Sequence, residues 1–544
     1  MRVLFLLTTV GCRVKAHHAT GFLSAFLKDA GHETAYLELD RMDPNQIDDA
    51  VTSFRPHILA ASTVMQQFRF VQTSINYIKH KYPEIKTILG GTHAILKPDC
   101  IEEIDGLDAI CISDGEIPLL RYVESIERGT DQQDIPSIFY REKGEIIRNA
   151  NTFAVSEEDM AKYPLQDRMV FPRFSDHDSS TPLGFNVRVL WGRGCPYACS
   201  YCSVPSLRKV FREPLRASKA SWVRYPPVEK AIEELETLRD RWIFDKFIID
   251  DDVFTTKKDW ILKFAEQYPS HLKDKVTYEA NLRVESVDKE IMYALKDTGC
   301  TLLKFGLENG NANIRRKILK RPISDERIIE VFNWAHEVGI PAHTFNIVGI
   351  PEETKQTVWQ TIKLNRKIRP SRVQITIFYP YFGTPLGQAV ESKGLNVKED
   401  VSYFSGSSSV EGKDMGMTAV EIERYARWFK FLVYLTYAPL LAWVQLKGNL
   451  FGDGPIFGRL VQSFKKDGLA ILTRKMFRQI FQIGGVGGKE LQVETMGSDG
   501  ERPHISEGFQ NLLDAIPVDA TAEVSQYDIE DMDKNQPHMD VLRP

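Results

Sequence analysis

The chain has 544 residues, 43% of them hydrophobic, which is enough apolar material for roughly three or four packed domains. Its formal net charge of −5 excludes the strongly basic balance typical of nucleic-acid-binding proteins, and no nucleic-acid partner is expected. Seven cysteines in this length exclude a disulfide-rich secreted class and predict a reducing, cytoplasmic location. The apolar run at residues 3–7 is too short for a signal peptide and predicts a buried strand.

Residues 1–127 alternate short apolar runs with amphipathic segments. Strands that alternate with helices predict a doubly wound, Rossmann-like α/β domain with a parallel sheet. The predicted strands are 3–8, 34–39, 58–62, 86–90 and 109–113, and the predicted helices are 21–30, 45–54, 70–81 and 116–127.

Small, hydroxylic or polar residues follow several of these strands. Ligands of parallel sheets bind at the carboxyl ends of the strands, where such residues let a phosphate-bearing group approach backbone N–H groups. The candidate binding residues are Ser62, Thr63, Gly90, Gly91, His93 and Gly115. Taken alone, this pattern occurs in many doubly wound domains.

Residues 128–185 are polar and contain several prolines, which predicts a linker. The alternation then resumes over residues 186–395 and predicts a partial (β/α)6 barrel, whose active site would lie at the carboxyl ends of the strands. The predicted strands are 186–192, 246–250, 276–281, 301–306, 342–348 and 372–378, and the predicted helices are 228–241, 257–268, 288–298, 324–337 and 355–367.

Three cysteines, Cys195, Cys199 and Cys202, follow the first barrel strand at the spacing C-x3-C-x2-C. Three thiols on one short loop are candidate metal ligands. Structural zinc needs a fourth protein ligand, which the neighbouring sequence does not offer, and the odd cysteine total argues against disulfides. A cubane iron–sulfur cluster takes one thiolate for each iron, so three cysteines would leave one iron open for chemistry.

This loop resembles that of the radical S-adenosylmethionine superfamily, in which the open iron of a [4Fe-4S] cluster binds S-adenosylmethionine. An N-terminal domain of the pattern described above makes the chain similar to the cobalamin-binding branch of that family. The resemblance implies three cofactors, namely the cluster, S-adenosylmethionine and cobalamin, with cobalamin at the candidate binding residues of the first domain. It also implies an electron donor such as flavodoxin or ferredoxin.

The resemblance further implies roles for residues at successive barrel strand ends. Asp251 and Asp252 stand where the family binds the methionine amino group, Arg283 would meet the methionine carboxylate, and Glu308 would accept the ribose hydroxyls. The full set implied for S-adenosylmethionine is Tyr201, Asp251, Asp252, Asn281, Arg283, Gly306, Glu308, Gly349 and Pro351.

His18 leaves two interpretations open. Cobalamin domains with a histidine on cobalt carry D-x-H-x-x-G after the first strand, and this chain has His18 and Gly21 but Ala16 in place of the aspartate. Without that carboxylate, a ligating imidazole lacks the partner that would orient it. His18 is therefore either the cobalt ligand or, in the favoured interpretation, a residue at the start of a helix that only flanks the corrin.

Residues 396–490 are predicted to form a helical domain, and the acidic segment 491–544 has the composition of a disordered tail. Within the helical domain, residues 424–478 combine basic and aromatic side chains. The longest apolar run in this segment is shorter than the roughly 20 residues that a helix needs to cross a bilayer. This basic segment predicts either a peripheral contact with the inner face of the membrane or a helical cap on the barrel.

The resemblance favours an enzyme that methylates an unactivated carbon of a small or lipid-like apolar substrate, such as a lipid, an isoprenoid or a tetrapyrrole. A radical cyclase or rearranging enzyme without methyl transfer is the alternative. A regulator that senses cobalamin or redox state is disfavoured, because a sensor has no need of residues that bind the methionine and ribose groups. The acid, base or hydrogen-donor residue that would act on the substrate is not identified.

Overall fold

The computed structural model describes residues 1–9, 17–268, 272, 276–397, 407–412, 415–438, 441–442 and 445. Cys12, one of the seven cysteines, lies outside this part of the chain, as do the acidic segment 491–544 and most of residues 424–478, for which the sequence makes predictions. The predicted fold class is confirmed, since an N-terminal α/β sheet precedes a six-stranded parallel sheet and a C-terminal helix.

The N-terminal sheet has the strand order β2-β1-β3-β4-β5-β6-β7, and its strands are β1 (Arg2–Thr8), β2 (Glu33–Leu39), β3 (Ile58–Ser62), β4 (Lys86–Gly90), β5 (Ala109–Cys111), β6 (Ile138–Glu142) and β7 (Glu145–Arg148). The first five strands are parallel. The helices of this region are His18–Asp29, Pro44–Phe54, Phe68–Lys81, Thr92–Leu96, Cys100–Glu103 and Glu116–Arg128.

Both faces of this sheet are covered. Leu4 and Leu6 of β1 pack in one apolar cluster, whereas Val3 and Phe5 pack in the cluster on the opposite face. Because side chains alternate along a strand, a continuous apolar run buries both faces, as in other parallel sheets. The carboxyl ends of the strands are left as the place where a ligand can reach the sheet.

The hairpin of β6 and β7 extends this sheet in a region where the sequence predicts a linker. Its turn is formed by Lys143 and Gly144, which both have positive φ angles, 51° and 87°. Two such residues give the turn that joins antiparallel strands most readily. Ile138 and Tyr140 are buried against the sheet, so residues 138–148 belong to the packed domain. Three short helical segments follow, at Glu157–Lys162, Arg168–Val170 and Pro172–Ser175.

The second sheet contains six parallel strands in sequential order, and its two edge strands are not paired with each other, so it forms an open, partial barrel. The strands are β8 (Val187–Val189), β9 (Lys246–Ile249), β10 (Thr277–Leu282), β11 (Cys300–Glu308), β12 (Ala342–Val348) and β13 (Arg372–Ile377). The main helices are Val204–Val210, Arg212–Ala217, Val228–Arg241, Lys258–Gln267, Lys289–Asp297, Asp325–Val338, Lys355–Ile368 and Pro385–Ser392. A two-stranded ladder follows, formed by β14 (Asn396–Val397) and β15 (Val410–Glu411).

The helix Ala419–Tyr434 packs on the barrel beside β13. Thr418 begins it with a capping box, and its side chains Trp428 and Phe429 are buried. The Arg366 guanidinium donates to the Leu432 carbonyl over 2.7 Å, which ties the helix end to the barrel. The part of the basic segment that lies in this helix, residues 424–434, thus packs on the barrel, and the helical cap expected for 424–478 as a whole stays a prediction. Within the described residues, no helix has the length and apolar character needed to cross a membrane.

Candidate active site

The cysteine loop, residues 194–202, follows β8 and is held by its neighbours. Gly194 has a φ of +84°, and a Cβ on it would lie 2.3 Å from the Trp222 carbonyl oxygen, so only glycine fits there. The Trp222 indole N–H donates to the Cys195 carbonyl over 2.8 Å, and the Ser200 N–H donates to the Leu319 carbonyl over 3.2 Å. These contacts fix the loop backbone at both ends.

The three thiols of the loop differ in exposure, since Cys195 and Cys199 are buried and Cys202 is half-buried. Burial, with the nearby charge of Asp252, raises the pKa of Cys195 to about 11 and that of Cys202 to about 12. The free thiols of Cys195 and Cys202 are therefore neutral, and coordination to a metal would remove their protons. No three His, Cys, Asp or Glu side chains in the described part of the chain are grouped around one ion position. In a cubane cluster, by contrast, each thiolate has its own iron.

Arg283, at the end of β10, lies directly beside this loop. Its Nη1 donates to Cys199 Sγ over 2.9 Å, and its guanidinium stacks on the Tyr197 ring with 3.8 Å to the ring centroid. Glu285 pairs with the same guanidinium. A cation at this position contacts one cysteine of the loop directly and could also meet a ligand carboxylate.

Asp251 and Asp252 follow β9, and their side chains have different surroundings. The Asp251 Oδ1 accepts the Trp191 N–H over 2.8 Å inside the wall of the barrel, and burial raises its pKa to about 7. Asn281 Nδ2 donates to the Asp251 carbonyl over 3.1 Å. Asp252 instead lines a cavity, where its side chain is reached by water although the surrounding protein raises its pKa. Of the two aspartates, Asp252 is the one available to a ligand.

Glu308 ends β11 with a φ of +64°, a left-handed conformation that is rare outside glycine. Its Oε1 lies 3.3 Å from Nη1 of Arg321, whose Nη2 donates to the Gly306 carbonyl over 2.6 Å. The Arg321 Nη1 also donates to the Tyr201 hydroxyl over 3.2 Å. Burial raises the pKa of Glu308 and the charge of Arg321 opposes that rise. Three of the predicted residues thus meet around one buried arginine.

Gly349 and Pro351 follow β12 and are held by a buried carboxylate. Glu353 accepts the Gly349 N–H over 2.7 Å with one oxygen and the Asn309 side-chain amide over 2.6 Å with the other. Burial raises the pKa of Glu353 to about 7. Gly349 has a φ of +80°, and a Cβ there would lie 2.9 Å from Ile422 of the C-terminal helix. Glu353 thus joins the ends of β11 and β12.

An interdomain cavity of about 380 Å³ separates the carboxyl ends of the N-terminal strands from the cysteine loop. Ser62, Gly90, Gly91 and Gly115 line it, together with Asp252 from the barrel. Gly91 has a φ of +90°, and a Cβ would lie 2.7 Å from Ser62 Oγ, so a larger residue would distort this wall. Four predicted residues of the first domain therefore face one space.

Two further residues of that prediction, Thr63 and His93, are buried away from the cavity wall in the described structure. The Thr63 hydroxyl donates to the Val64 carbonyl over 3.0 Å. His93 stacks on Phe68 with 4.2 Å between ring centroids, and burial lowers its pKa to about 4. Both residues support the strand ends from below instead of facing the cavity.

His18 begins the helix His18–Asp29 and bridges the two domains. Its Nε2 lies 2.9 Å from Asp250 Oδ2 and its Nδ1 lies 3.3 Å from Gln166 Oε1. The Arg188 Nε donates to the same Asp250 oxygen over 2.6 Å. Against the effect of burial, these bonds from His18 and Arg188 lower the pKa of Asp250. Both imidazole nitrogens are thus engaged by protein groups.

A second set of ion pairs joins the domains beside the cysteine loop. Arg193, directly before Gly194, has its Nη1 3.1 Å from Asp114 Oδ1 and also pairs with Glu116. Arg224 lies 2.8 Å from the other Asp114 oxygen. Although burial opposes ionisation, Arg224 and Arg193 lower the pKa of Asp114. Because Asp114 and Glu116 follow β5, these pairs fix the loop on the N-terminal domain.

Comparison with known families matches two separate parts of the chain. Residues 9–123 match the B12 binding domain, and residues 189–364 match the Radical SAM superfamily. The second match contains all three cysteines of the loop. The chain is a cobalamin-dependent radical S-adenosylmethionine enzyme. Its B12-binding domain supplies the glycine-lined wall of the cavity, and its radical SAM domain supplies the cysteine loop.

Relatives of this radical SAM enzyme include both methyltransferases and cyclases. An uncharacterized methyltransferase of Pyrococcus horikoshii is 25% identical over 63% of this chain and 71% of its own length. The anaerobic magnesium-protoporphyrin IX monomethyl ester cyclase of Rubrivivax gelatinosus is 22% identical over 76% of this chain and 74% of its own. The hopanoid C-3 methylase of Methylococcus capsulatus is 22% identical over 66% of this chain and 65% of its own.

A solved structure of the same architecture is the cobalamin-dependent S-adenosylmethionine radical enzyme OxsB with aqua-cobalamin and S-adenosylmethionine bound. It aligns with a TM-score of 0.62 at 14% identity, over 90% of this chain and 82% of its own. At that identity the likeness shows the fold alone.

The enzyme uses a [4Fe-4S] cluster, S-adenosylmethionine and cobalamin, and the residues present fit these groups. The three cysteines offer the thiolate donors that an iron–sulfur cluster requires. Arg283 lies beside one of them. Gly90 and Gly91 line the cavity without side chains that would keep a large ligand from the sheet backbone.

Several residues of this site were missed by reasoning from the sequence, namely Arg321, Glu353, Arg193, Asp114 and Asp250. Asp114 and Asp250 stand inside strand-end runs that the sequence singles out, so their position is a usable signal. Arg321 lies 13 residues beyond Glu308 and no pattern in the sequence connects the two.

Proposed function

We propose that this enzyme transfers a methyl group to an unactivated carbon of an apolar substrate, such as a lipid, an isoprenoid or a tetrapyrrole. When bound, the cluster would supply the electron that cleaves S-adenosylmethionine, and cobalamin would supply the methyl group. The observation that carries the proposal is the position of His18. Its two nitrogens face Asp250 and Gln166, which supports a cobalt without a histidine ligand.

The bonds of His18 to protein groups would bear on the reaction, because the ligands of a metal tune its reduction potential. A strong nitrogen donor favours the more oxidised ion, so cobalt without a histidine would be easier to reduce. Easy reduction would suit repeated methyl transfer, in which a second S-adenosylmethionine would supply the next methyl group. A His18 bonded to Asp250 and Gln166 would fit that requirement.

The residues of the radical SAM domain would bind and orient S-adenosylmethionine. Asp252 would hold the methionine amino group, Arg283 its carboxylate, and Glu308 the ribose hydroxyls. Tyr201, beside Arg321, would lie near the adenine, and the backbone of Gly349 and Pro351 would meet the adenine edge. The ion pairs between the domains would hold the two walls of the cavity in place.

Aromatic side chains support an apolar substrate. Tyr379 and Tyr381 follow β13 with 5.5 Å between their ring centroids, and the N–H of Phe382 lies 3.2 Å from Met65 Sδ of the B12-binding domain. This segment stands where the two domains meet. Such rings offer a large contact area to an apolar molecule. The hopanoid methylase among the relatives acts, by its name, on a substrate of this kind.

The products of anaerobic turnover test the proposal. The reconstituted enzyme would be incubated with cobalamin, a reductant, S-adenosylmethionine carrying a deuterated methyl group, and an apolar extract of cells. Methyl transfer predicts both 5′-deoxyadenosine and S-adenosylhomocysteine, with a mass increase of one labelled methyl group in an extracted compound. Formation of 5′-deoxyadenosine without S-adenosylhomocysteine or label would exclude methyl transfer.

The His18→Ala variant tests the observation on which the proposal rests. Because His18 is bonded to protein groups, the variant should bind cobalamin in unchanged stoichiometry and with an unchanged visible spectrum. A Gln166→Ala variant controls for loss of the neighbouring contact. A spectrum shifted toward ligand-free cobalt only in His18→Ala would show that His18 binds cobalt and would contradict the proposal.

A second candidate is a radical cyclase that forms a ring without methyl transfer. The observation in its favour is that the similarity to the magnesium-protoporphyrin cyclase covers a larger share of this chain than the similarity to the Pyrococcus methyltransferase. This function predicts 5′-deoxyadenosine alone and a product that has lost hydrogen, so the same incubation separates the two candidates.

A further inference from the structure

Two short helices directly after the cysteine loop carry an exposed basic surface. These are Val204–Val210 and Arg212–Ala217. In residues 203–219, which we call the basic surface, five cations and one carboxylate are exposed, namely Arg208, Lys209, Arg212, Arg216, Lys219 and Glu213. Five cations against one carboxylate leave this surface strongly positive.

The opposite side of the same helices packs on the cofactor region. Leu207 and Phe211 line the interdomain cavity. Arg208, although it is exposed, also reaches the cysteine loop, where its Nη1 donates to the Pro196 carbonyl over 3.4 Å. The Ser206 hydroxyl donates to the Gly383 carbonyl over 2.8 Å and anchors the first helix to the barrel. The basic surface therefore lies beside the cysteine loop, since Arg208 contacts Pro196, the residue after Cys195.

We propose that the basic surface docks a small acidic protein that carries one low-potential electron, such as a flavodoxin or a ferredoxin. A radical SAM enzyme needs a reductant, and the surface offers a short route from solvent to the cluster loop. One electron passes from the reduced carrier to the cluster, and no bond is made or broken at the surface. Complementary charge steers such weak, transient encounters and fixes their orientation.

The inference rests on the radical chemistry of the enzyme and not on the choice between methyl transfer and ring formation. Its test therefore measures 5′-deoxyadenosine, which both candidate functions produce. A failure of methyl transfer would appear as missing S-adenosylhomocysteine and would leave this inference standing.

The experiment compares two matched double charge reversals in the reconstituted holoenzyme. The test variant is Lys209→Glu with Arg212→Glu, and the control variant is Lys363→Glu with Lys367→Glu on the helix Lys355–Ile368. All four side chains are exposed on helices. Each enzyme is reduced in turn by flavodoxin, by ferredoxin and by titanium(III) citrate, and the dissociation constant for each carrier is measured at low and high salt.

We expect the test variant to bind the carrier about tenfold more weakly at low salt and to form 5′-deoxyadenosine correspondingly more slowly with subsaturating carrier. Its rate with titanium(III) citrate should equal that of the wild type, and the control variant should match the wild type throughout. High salt should weaken carrier binding by the wild type and have little further effect on the test variant.

Three results would overturn the inference. One is unchanged carrier affinity and unchanged carrier-driven rate in the test variant. Another is an equal loss of rate with titanium(III) citrate while carrier affinity stays the same. The third is a wild-type enzyme that takes electrons from neither protein carrier.

Discussion

The described cysteines fall into two chemical groups. Cys195, Cys199 and Cys202 share one loop, whereas Cys100, Cys111 and Cys300 are buried at separate places in the two domains. Burial raises the pKa of each of these three separate thiols to about 12. Neutral, scattered thiols of this kind pack as small apolar groups.

Replacing any one of Cys195, Cys199 and Cys202 by alanine should remove the cluster and all cleavage of S-adenosylmethionine, because the site has no spare ligand. Serine at Cys100, Cys111 or Cys300 should leave the iron content unchanged and serves as the control. Iron analysis and the visible spectrum of anaerobically reconstituted protein provide the measurement. Four irons retained after loss of a loop cysteine would contradict the assignment.

Glu308 should contribute to S-adenosylmethionine binding. Ribose hydroxyls left without an acceptor in a closed site cost roughly 1–3 kcal/mol, so Glu308→Ala should weaken binding about tenfold or more. The change also leaves the buried Arg321 without its carboxylate partner. Equilibrium dialysis at equal iron content measures the effect, and Glu330→Ala, at an exposed glutamate, is the control. Equal affinity in the wild type and Glu308→Ala would mean that the ribose lies elsewhere.

At the scale of elements, the helix Ala419–Tyr434 completes the barrel core although it lies beyond the region matched to the family. Trp428 is 2% exposed, so Trp428→Ala should destabilise the barrel by about 3–5 kcal/mol through the cavity it leaves. Denaturant unfolding followed by tryptophan fluorescence and circular dichroism measures the change. Val420, which is 62% exposed on the same helix, offers the control Val420→Ala. A shift no larger than that of the control would show that the helix does not support the barrel.

The elements that could be predicted from the sequence are those with a clear apolar period. β12 (Ala342–Val348) has the predicted bounds because its side chains alternate between buried and half-buried positions along its whole length. The β6–β7 hairpin was missed, although its Lys143-Gly144 turn between alternating apolar residues is a recognisable signal. Arg321 could not be predicted, because no sequence pattern connects it with Glu308, 13 residues earlier. Its other partner, Tyr201, lies 120 residues away and meets it only through the fold.

At the scale of the whole molecule, two sets of ion pairs join the B12-binding domain to the barrel. His18 with Asp250 and Asp114 with Arg193 all lie at this junction. These groups are largely buried, and removing one partner of a buried pair leaves the other charge uncompensated. The interface between the domains is therefore sensitive to a single substitution.

Asp114 gives this interface a pH dependence. The pKa of Asp114 is lowered in the folded protein. Its contribution to the free energy of unfolding is therefore present above the pKa of the unfolded state, about 4, and is lost as the pH falls below that value. Asp114→Asn should cost about 3–5 kcal/mol at neutral pH, and the difference from the wild type should shrink below about pH 4. Denaturant unfolding of the cofactor-free protein across this range provides the measurement.

The control is Asp99→Asn, since Asp99 pairs with Arg148 over 3.2 Å at the surface of the same domain. Surface pairs contribute little and are screened by salt. An equally small effect at Asp114 and at Asp99 would contradict a stabilising role for the interdomain pairs.

The interdomain cavity has walls from both domains, with ion pairs at their junction. We expect a corrin bound between these walls to contact both domains, so its release would need those contacts to break. A loaded enzyme would then keep its cofactor through dilution for longer than an open groove of equal affinity.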